Sequence, residues 1–338
     1  MQLERLSLSE WGDSLPDRGF EPFHAPEALD VLDDHVAGDL LLLGAFKGDR
    51  PVALLPIFEQ TKSVGRALVS PPPGRSVSRL GPVLMPASPK RSKHEKLNRE
   101  FAELVLEELD AEDSTTLLRM TGNTEFSDPR PYVWADYDVE TLWTYRLDVG
   151  DQSPDSLLKD ASKSLRREIG DARDLDVTVQ REEDDLDGAR SVYEETRKRY
   201  AEQGRTLSLS WDYVSDMVEA MLENDRARVY VARDAEGRFL TGITAMYSND
   251  AAYFWQGGVR SIHEGVAINS LVHWNIVEDI AEDPPRDSVD TYDLLGANTE
   301  RLCKYKAKFG SELTPYYRVE TGGVKMAAAK KAYELVAR

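Results

Sequence analysis

The chain reads as an α+β protein of two consecutive domains with mixed, mostly antiparallel sheets. Three observations carry this. Its 338 residues suffice for two domains of ordinary size. Apolar residues make up 41% of them, enough to build a core and too many for wholesale disorder. Apolar periodicity runs α-β-α-α-β-β-β-α-β-α-β through the second half, a meander followed by alternating helix and strand. The stretch Gly150–Ser156 carries Gly, Pro and Ser between two patterned regions and divides residues 1–150 from 151–338.

The first half is a shorter version of the second. Residues 38–60 predict a hairpin, two apolar runs around the turn Lys47-Gly48-Asp49-Arg50. Residues 69–86 are rich in Pro and Gly, and predict a loop ending in a short strand. Leu97, Phe101, Leu104, Val105 and Leu109 recur at helical spacing across 91–110. Residues 114–120 form a β-rich run, and 128–149 begin as loop and end in a strand over 141–149. No sequence repeat links the halves.

In the second half a long helix is expected over about 155–173, then a strand over 177–181 and a helix over about 185–202. Ser210 is placed to cap a helix over 210–224. Residues 228–258 read as three strands joined by Asp234–Gly237 and Ser248–Asp250, both good turn chemistry. Ile268, Leu271, Val272, Ile276 and Ile280 define one face of a helix over about 265–282. A strand over 289–295, a helix over 299–309 and a strand over 316–319 follow.

The chain carries 42 Lys and Arg against 61 Asp and Glu, a net charge of −19. Such an excess fits a protein of high salt, where screening makes self-repulsion small, or a merely acidic cytoplasmic one. Residues 301–338 are the exception, with nine Lys/Arg and three Asp/Glu. A single cysteine, Cys303, rules out an intrachain disulfide, and five scattered histidines give no metal-ligand spacing. No long apolar run and no signal-peptide pattern occur, so a soluble, cytoplasmic chain is expected. P-loop, dinucleotide and G-x-S-x-G motifs are absent, which favours a transferase acting by positioning and electrostatics over a hydrolase with a covalent nucleophile.

Two helical faces point to chemistry. At about 3.6 residues per turn, Leu302, Tyr305 and Phe309 form an apolar stripe in "ERLCKYKAKFG". Arg301, Lys304 and Lys308 fall on the solvated side and Lys306 at the stripe's edge, where it either snorkels or meets an anion. Gly310 ends that helix. Asn298 and Lys306 would meet at the end of the preceding strand. On the helix over 155–173, Lys159, Lys163, Arg166, Arg167 and Arg173 share one arc. That arc is either a phosphate-contacting face or a salt-bridge rim.

Tyr253, Trp255 and Gln256 alternate faces on a strand that ends at Gly257-Gly258. A helix starting after this break would set free backbone N–H groups beside a positive helix end, suited to an anion or a developing oxyanion. The bland alternative is a Gly-Gly turn between core aromatics. His263-Glu264 matches no zinc motif, and no metal is expected.

"SKSLRREI" (162–169), "AAYFWQGGV" (251–259) and "YDLLGANTERLCKYKAKFG" (292–310) resemble the FemAB-like branch of the GNAT superfamily, nearest its BioF2-like acetyltransferase domains. "GPVLMP" (81–86) and residues 128–149 resemble its first half. The resemblance implies two tandem GNAT-like domains, 1–150 and 151–338, with a cleft between them and the active centre in the second. It implies transfer of an acyl or aminoacyl group to an amine, usually on a cell-envelope or glycan precursor. The donor would be acyl-CoA or aminoacyl-tRNA, and no further cofactor is implied. The acceptor would be a small-molecule or a lipid- or nucleotide-linked amine, with no DNA and at most peripheral membrane contact. By motif match the catalytic lysine is Lys306. Gly257 and Gly258 would supply backbone donors, with Tyr253, Trp255, Gln256 and Asn298 lining the site. Lys163, Arg166 and Arg167 would hold a phosphate. Residues 262–267 stand where the family has its pyrophosphate loop, with Ile262 in place of a polar residue. A non-enzymatic RNA binder or a degenerate scaffold is the alternative.

Overall fold

The structure, a computed structural model, describes residues 1–62, 65–182 and 186–322. The cations expected at Lys325, Lys330, Lys331 and Arg338 lie outside the described residues. The chain divides into two compact units, one formed by Met1–Leu142 with the segment from Pro315 onward, the other by Trp143–Thr314.

The first unit holds β1 (Gln2–Arg5), α1 (Leu8–Ser14), α2 (Pro26–His35), β2 (Asp39–Lys47), β3 (Arg50–Lys62), β4 (Gly65–Ser70), β5 (Val83–Leu84), α3 (Arg91–Glu108), β6 (Thr116–Thr121) and α4 (Arg130–Trp134). Strand β7 (Tyr137–Asp148) leads out of it. β2 to β4 form an antiparallel meander with the predicted hairpin at its start, and β6 returns parallel to β4. Leu97, Phe101 and Val105 of α3 are buried against that sheet. No element is predicted over residues 1–35, where Ser7 and Glu10 form a capping box for α1. The loop predicted over 69–86 overlaps the last two residues of β4.

The second unit holds α5 (Pro154–Asp160), α6 (Lys163–Arg173), β8 (Val177–Glu182), α7 (Asp187–Glu202), α8 (Trp211–Leu222), β9 (Ala227–Asp234), β10 (Phe239–Tyr247), β11 (Ala251–Gly257), β12 (Ile262–His263), β13 (Val266–Ala267), α9 (Asn269–Glu282), β14 (Thr291–Asp293) and α10 (Glu300–Lys306). β9 to β11 again form an antiparallel meander, and β14 returns parallel to β11. Thus β2-β3-β4-α3-β6 and β9-β10-β11-α9-β14 repeat one topology without a visible sequence repeat. Leu165 and Ile169 of α6 and Val272, Ile276 and Val277 of α9 pack on one face of the second sheet. Each such buried aliphatic side chain contributes about 2–3 kcal/mol.

Three expectations are corrected. The last strand, β15 (Glu312–Thr321), does not stay in a domain running from 151. It pairs antiparallel with β6 through Arg318↔Thr121, Val319↔Met120 and Glu320↔Arg119, burying Val319 in the first core. The helix over 155–173 is two helices, because Ala161 is extended and Ser162 caps a new start at Leu165 N. The helix over 299–309 finishes as a 3-10 turn, Ala307–Phe309, before left-handed Gly310 (φ 77°).

Candidate active site

Parallel pairing of β11 and β14 covers Ala251↔Thr291, Ala252↔Tyr292 and Tyr253↔Asp293 and then stops. β11 continues to Gly257, while the chain after β14 bends toward β7. There the Leu294 N–H donates to Tyr145 O (2.9 Å) and the Ala297 N–H to Trp143 O (3.0 Å). The two strands therefore part, leaving the β14-side edge of β11 beyond Tyr253 without a strand partner among the described residues. A bulge adds to this. Thr244 faces Gln256 and Ala245 faces Phe254, so Trp255 is an extra residue. The bulge resets the alternation expected for Tyr253, Trp255 and Gln256. Tyr253 and Gln256 oppose Met246 and Thr244, so they share a face despite being three apart. All three are buried, and Gln256 Nε2 has no hydrogen-bond partner among the described residues.

Lys306 closes the base of this gap. It is 4% exposed. Its Nζ donates to the carbonyls of Leu294 (2.7 Å), Leu295 and Gly296 (3.3 Å), which matches the three protons of an ammonium. Leu295 and Gly296 are both left-handed, φ 50° and 54°, and this turns successive carbonyls onto one point. The Phe254 ring lies 5.5 Å from Nζ. Burial pulls the Lys306 ammonium down to about 8, with the Asp293 carboxylate opposing. Lys306 thus meets a set of neutral backbone dipoles.

Around it stands an aromatic cluster. His273 packs against Phe254, Tyr292, Tyr305 and Phe309, and its Nδ1 is 2.8 Å from Tyr292 OH. Burial, then the Lys306 charge, lowers His273 to about 3, so its imidazole is neutral. A second chain of bonds runs through the first turn of α9. Lys308 Nζ reaches Glu168 Oε1 at 2.8 Å, and Ser270 Oγ donates to Glu168 Oε2 at 3.0 Å. With that proton committed, Tyr305 OH donates to Ser270 Oγ and accepts from Asn269 Nδ2 (2.9 Å).

Several predicted site residues behave differently here. Lys308 is not a solvated cation. The 3-10 turn advances it relative to the α-helical wheel, toward Glu168. Gly257 and Gly258 do not open onto a helix, since α9 begins eleven residues later at Asn269. The Gly258 N–H is already given to Gly242 O (2.8 Å). Residues 262–267 are a tight hairpin, with Glu264 and Gly265 both at positive φ in its turn. Asn298 does not turn to Lys306, as its Oδ1 accepts from the Trp143 N–H (2.8 Å). Lys163, Arg166 and Arg167 are exposed on α6, while Lys159 is separated from them by the break at Ala161. Arg166 donates to Lys159 O (2.5 Å), Arg167 pairs with Asp171 (3.4 Å), and Arg173 pairs with Glu278.

Sequence reasoning passed over Glu195 on α7. It lines a cavity of about 940 Å³ bounded by α7, the first residues of β10 and residues 259–261. Burial raises its carboxyl to about 7, against hydrogen bonds from Thr241 and the Gly242 N–H and the charge of Lys198. The available signal was Val192 three residues before it. That spacing puts Glu195 on the packed face of α7.

A family model described as an acetyltransferase (GNAT) domain matches residues 159–307, which contain both the parted strands and Glu195. A crystal structure of FemX is similar over 100% of both chains, with a TM-score of 0.71 at 11% identity. The C-terminal domain of a putative lysylphosphatidylglycerol synthetase from Agrobacterium fabrum is similar over 98% of each chain, TM-score 0.58 at 14% identity. L-PGS from Bacillus licheniformis covers 95% of this chain and 99% of its own, TM-score 0.55 at 12% identity. No curated protein matches by sequence. The meander, the parted parallel strands and the matched segment thus agree: residues 159–307 match a GNAT acetyltransferase domain, and the chain has a fold similar to that of FemX.

Proposed function

We propose that this chain is an N-acyltransferase that moves an activated acyl or aminoacyl group onto an amine, on a cell-envelope or glycan precursor. The observation that carries the reading is the parting of β11 from β14 above buried Lys306, inside the GNAT match. A carbonyl donor laid along the free edge of β11 would meet backbone groups that have no strand partner. A structural neighbour named for lysylphosphatidylglycerol synthesis supports a lipid-linked acceptor and an aminoacyl donor. Acyl-CoA remains the competing donor.

In this reading Lys306 works through what it holds. Its three protons are on carbonyls, so it fixes the turn at 294–296 and places a positive charge beneath the reacting carbonyl. Gln256, buried and lacking a partner for Nε2, is the side-chain donor for the acyl oxygen once a ligand opens that face. Tyr253 and Trp255 wall the gap. Gly257 and Gly258 let the chain turn at its end, and Asn298 ties the opposite lip to Trp143. Lys163, Arg166 and Arg167 offer exposed charge for a donor or acceptor phosphate.

The test is transfer from acetyl-CoA and from a set of aminoacyl-tRNAs, preceded by mass spectrometry of ligands retained on the purified chain. Lys306→Ala is expected to lower the rate about 10²–10³-fold, the scale of one lost electrostatic stabiliser, with the fold retained by circular dichroism. A fully active Lys306→Ala protein would remove the lysine from the mechanism. A wild-type chain that transfers from neither donor would overturn the whole reading.

A further inference from the structure

Resting on the transfer reading, we propose that Glu195 is the proton acceptor for the incoming amine, which enters by the cavity between α7 and residues 259–261 and carries an anionic tail.

Position comes first. Val192 and Glu195 share a face of α7, three residues apart. Val192 packs over Gly242 of β10 and Gly257 of β11, for a Cβ added at either would lie 2.7 Å from a Val192 methyl. Glu195 therefore sits beside Thr241 and Gly242, near the Gly-Gly turn at the end of β11, with its carboxyl on the cavity wall.

Proton counting comes second. Thr241 Oγ1 lies 3.0 Å from Glu195 Oε2 and 3.0 Å from Val259 O. A hydroxyl has one proton. When Glu195 is ionised, it keeps the Gly242 N–H, and Thr241 gives its one proton either to the carboxylate or to Val259 O. When Glu195 is protonated, its O–H donates to Thr241 Oγ1 and Thr241 donates to Val259 O, so every group is satisfied. A proton on Glu195 is thus accommodated with the Thr241 bridge to Val259 O kept. Burial places the carboxyl near neutrality, which suits a base working at ordinary pH.

The charged surroundings come third. Among the charged groups on the wall, Arg197 is tied to Glu194 (2.6 Å) and Arg199 to Glu202 (3.3 Å). Lys198 of α7 and Arg260 of the facing loop form no ion pair among the described residues. β10 presents only Thr241 and the Gly242 amide to the carboxyl. The cavity thus joins a proton acceptor to two available cations, which selects an amine bearing a phosphate or carboxylate.

The step balances. The substrate ammonium gives one proton to Glu195, and its nitrogen forms the C–N bond to the acyl carbon. The C–S bond of a thioester donor, or the C–O bond of a tRNA ester, breaks. The second nitrogen proton leaves with the thiol or hydroxyl, and Glu195 returns its proton to water.

The test uses the full chain with acetyl-CoA and alanyl-tRNA as donors. O-phosphoethanolamine, glucosamine 6-phosphate and unphosphorylated ethanolamine are the amine probes. The wild-type kcat/KM is expected to rise with pH through about 7. Glu195→Gln lowers kcat about 10²–10⁴-fold and loses that limb, regaining rate only where the probe amine deprotonates by itself. Lys198→Ala with Arg260→Ala raises KM for the phosphorylated probes more than for ethanolamine. A Glu195→Gln enzyme with the wild-type rate and pH profile overturns the assignment. If the wild type transfers to no probe from either donor, the transfer reading is what fails. Glu195 is then judged by isotope-edited infrared spectroscopy. A protonated-carboxyl band that vanishes as pH rises through about 7 and is missing in Glu195→Gln supports a proton-accepting site, and its absence overturns one.

Discussion

At the residue scale, buried titratable groups decide how this protein responds to pH, and they pull in opposite directions. His24 and His273 are fully buried, and burial lowers them to about 4 and about 3. Their unfolded counterparts take up protons near 6.5, so stability present above that pH is lost on acidification toward 4. Each group contributes a slope of up to about 1.4 kcal/mol per pH unit. His24 accepts from the Glu21 N–H (3.1 Å) and lies 2.9 Å from Gly81 O, so a protonated ring cannot keep both bonds. Glu195 acts the other way. Its folded value is raised to about 7, so its contribution to stability is present below the unfolded carboxyl range and is lost as pH rises toward 7. Chemical denaturation between pH 4.5 and 7.5 checks both signs. Glu195→Gln is expected to be more stable than wild type at pH 7.5 and to lose that advantage near pH 4.5. Identical curves would show that the Glu195 carboxyl is no more buried than a surface one.

At the element scale, the end of β11 is shaped by the bulge at Trp255 and by Gly257 and Gly258. Gly257 has φ 92°, and a Cβ there would lie 2.1 Å from Gly242 O. Gly257→Ala must therefore force β10 and β11 apart while straining its own backbone. A loss of about 2–3 kcal/mol is expected, measured by urea unfolding, with transfer activity falling further than stability explains. Helix faces were legible in the sequence wherever one pitch ran unbroken. Lys306 was placed at the edge of the Leu302–Tyr305–Phe309 stripe, and it is buried there. The same wheel failed at Lys308, where the pitch tightens, and across Ala161–Ser162, where a cap restarts the helix. The bulge at Trp255 was illegible because it is a property of a pair of strands, and the sequence of one strand does not contain it.

At the scale of the whole molecule, the chain leaves the first unit along β7 and returns to it in β15. Val319 is wholly buried there, and Arg119 is held by Glu320 at 2.6 Å. A chain ending at residue 311 should thus lose the first unit's cooperative unfolding and expose the edge of β6, read out as dye binding and aggregation. A two-state first transition in that truncation would contradict the assignment. The net charge of −19 leads to a second prediction. Screening self-repulsion should raise Tm between 0.1 and 2 M NaCl, and a flat or falling Tm would count against adaptation to high salt.

What the sequence by itself determined is local or periodic. It set the α+β class, the hairpin at Lys47–Arg50, the meander at 228–258, the Ser210 cap and the buried side of α10, because propensity, turn chemistry and apolar spacing act over a few residues. It also set the resemblance through which Lys306 came into view. Tertiary structure alone decided the rest: which carbonyls Lys306 meets, that Gly258 has no N–H to offer, that β15 belongs with β6, and that Glu195 lines a cavity. Each of these depends on groups far apart in sequence being brought within a hydrogen bond or a van der Waals contact, and no one-dimensional pattern records that distance.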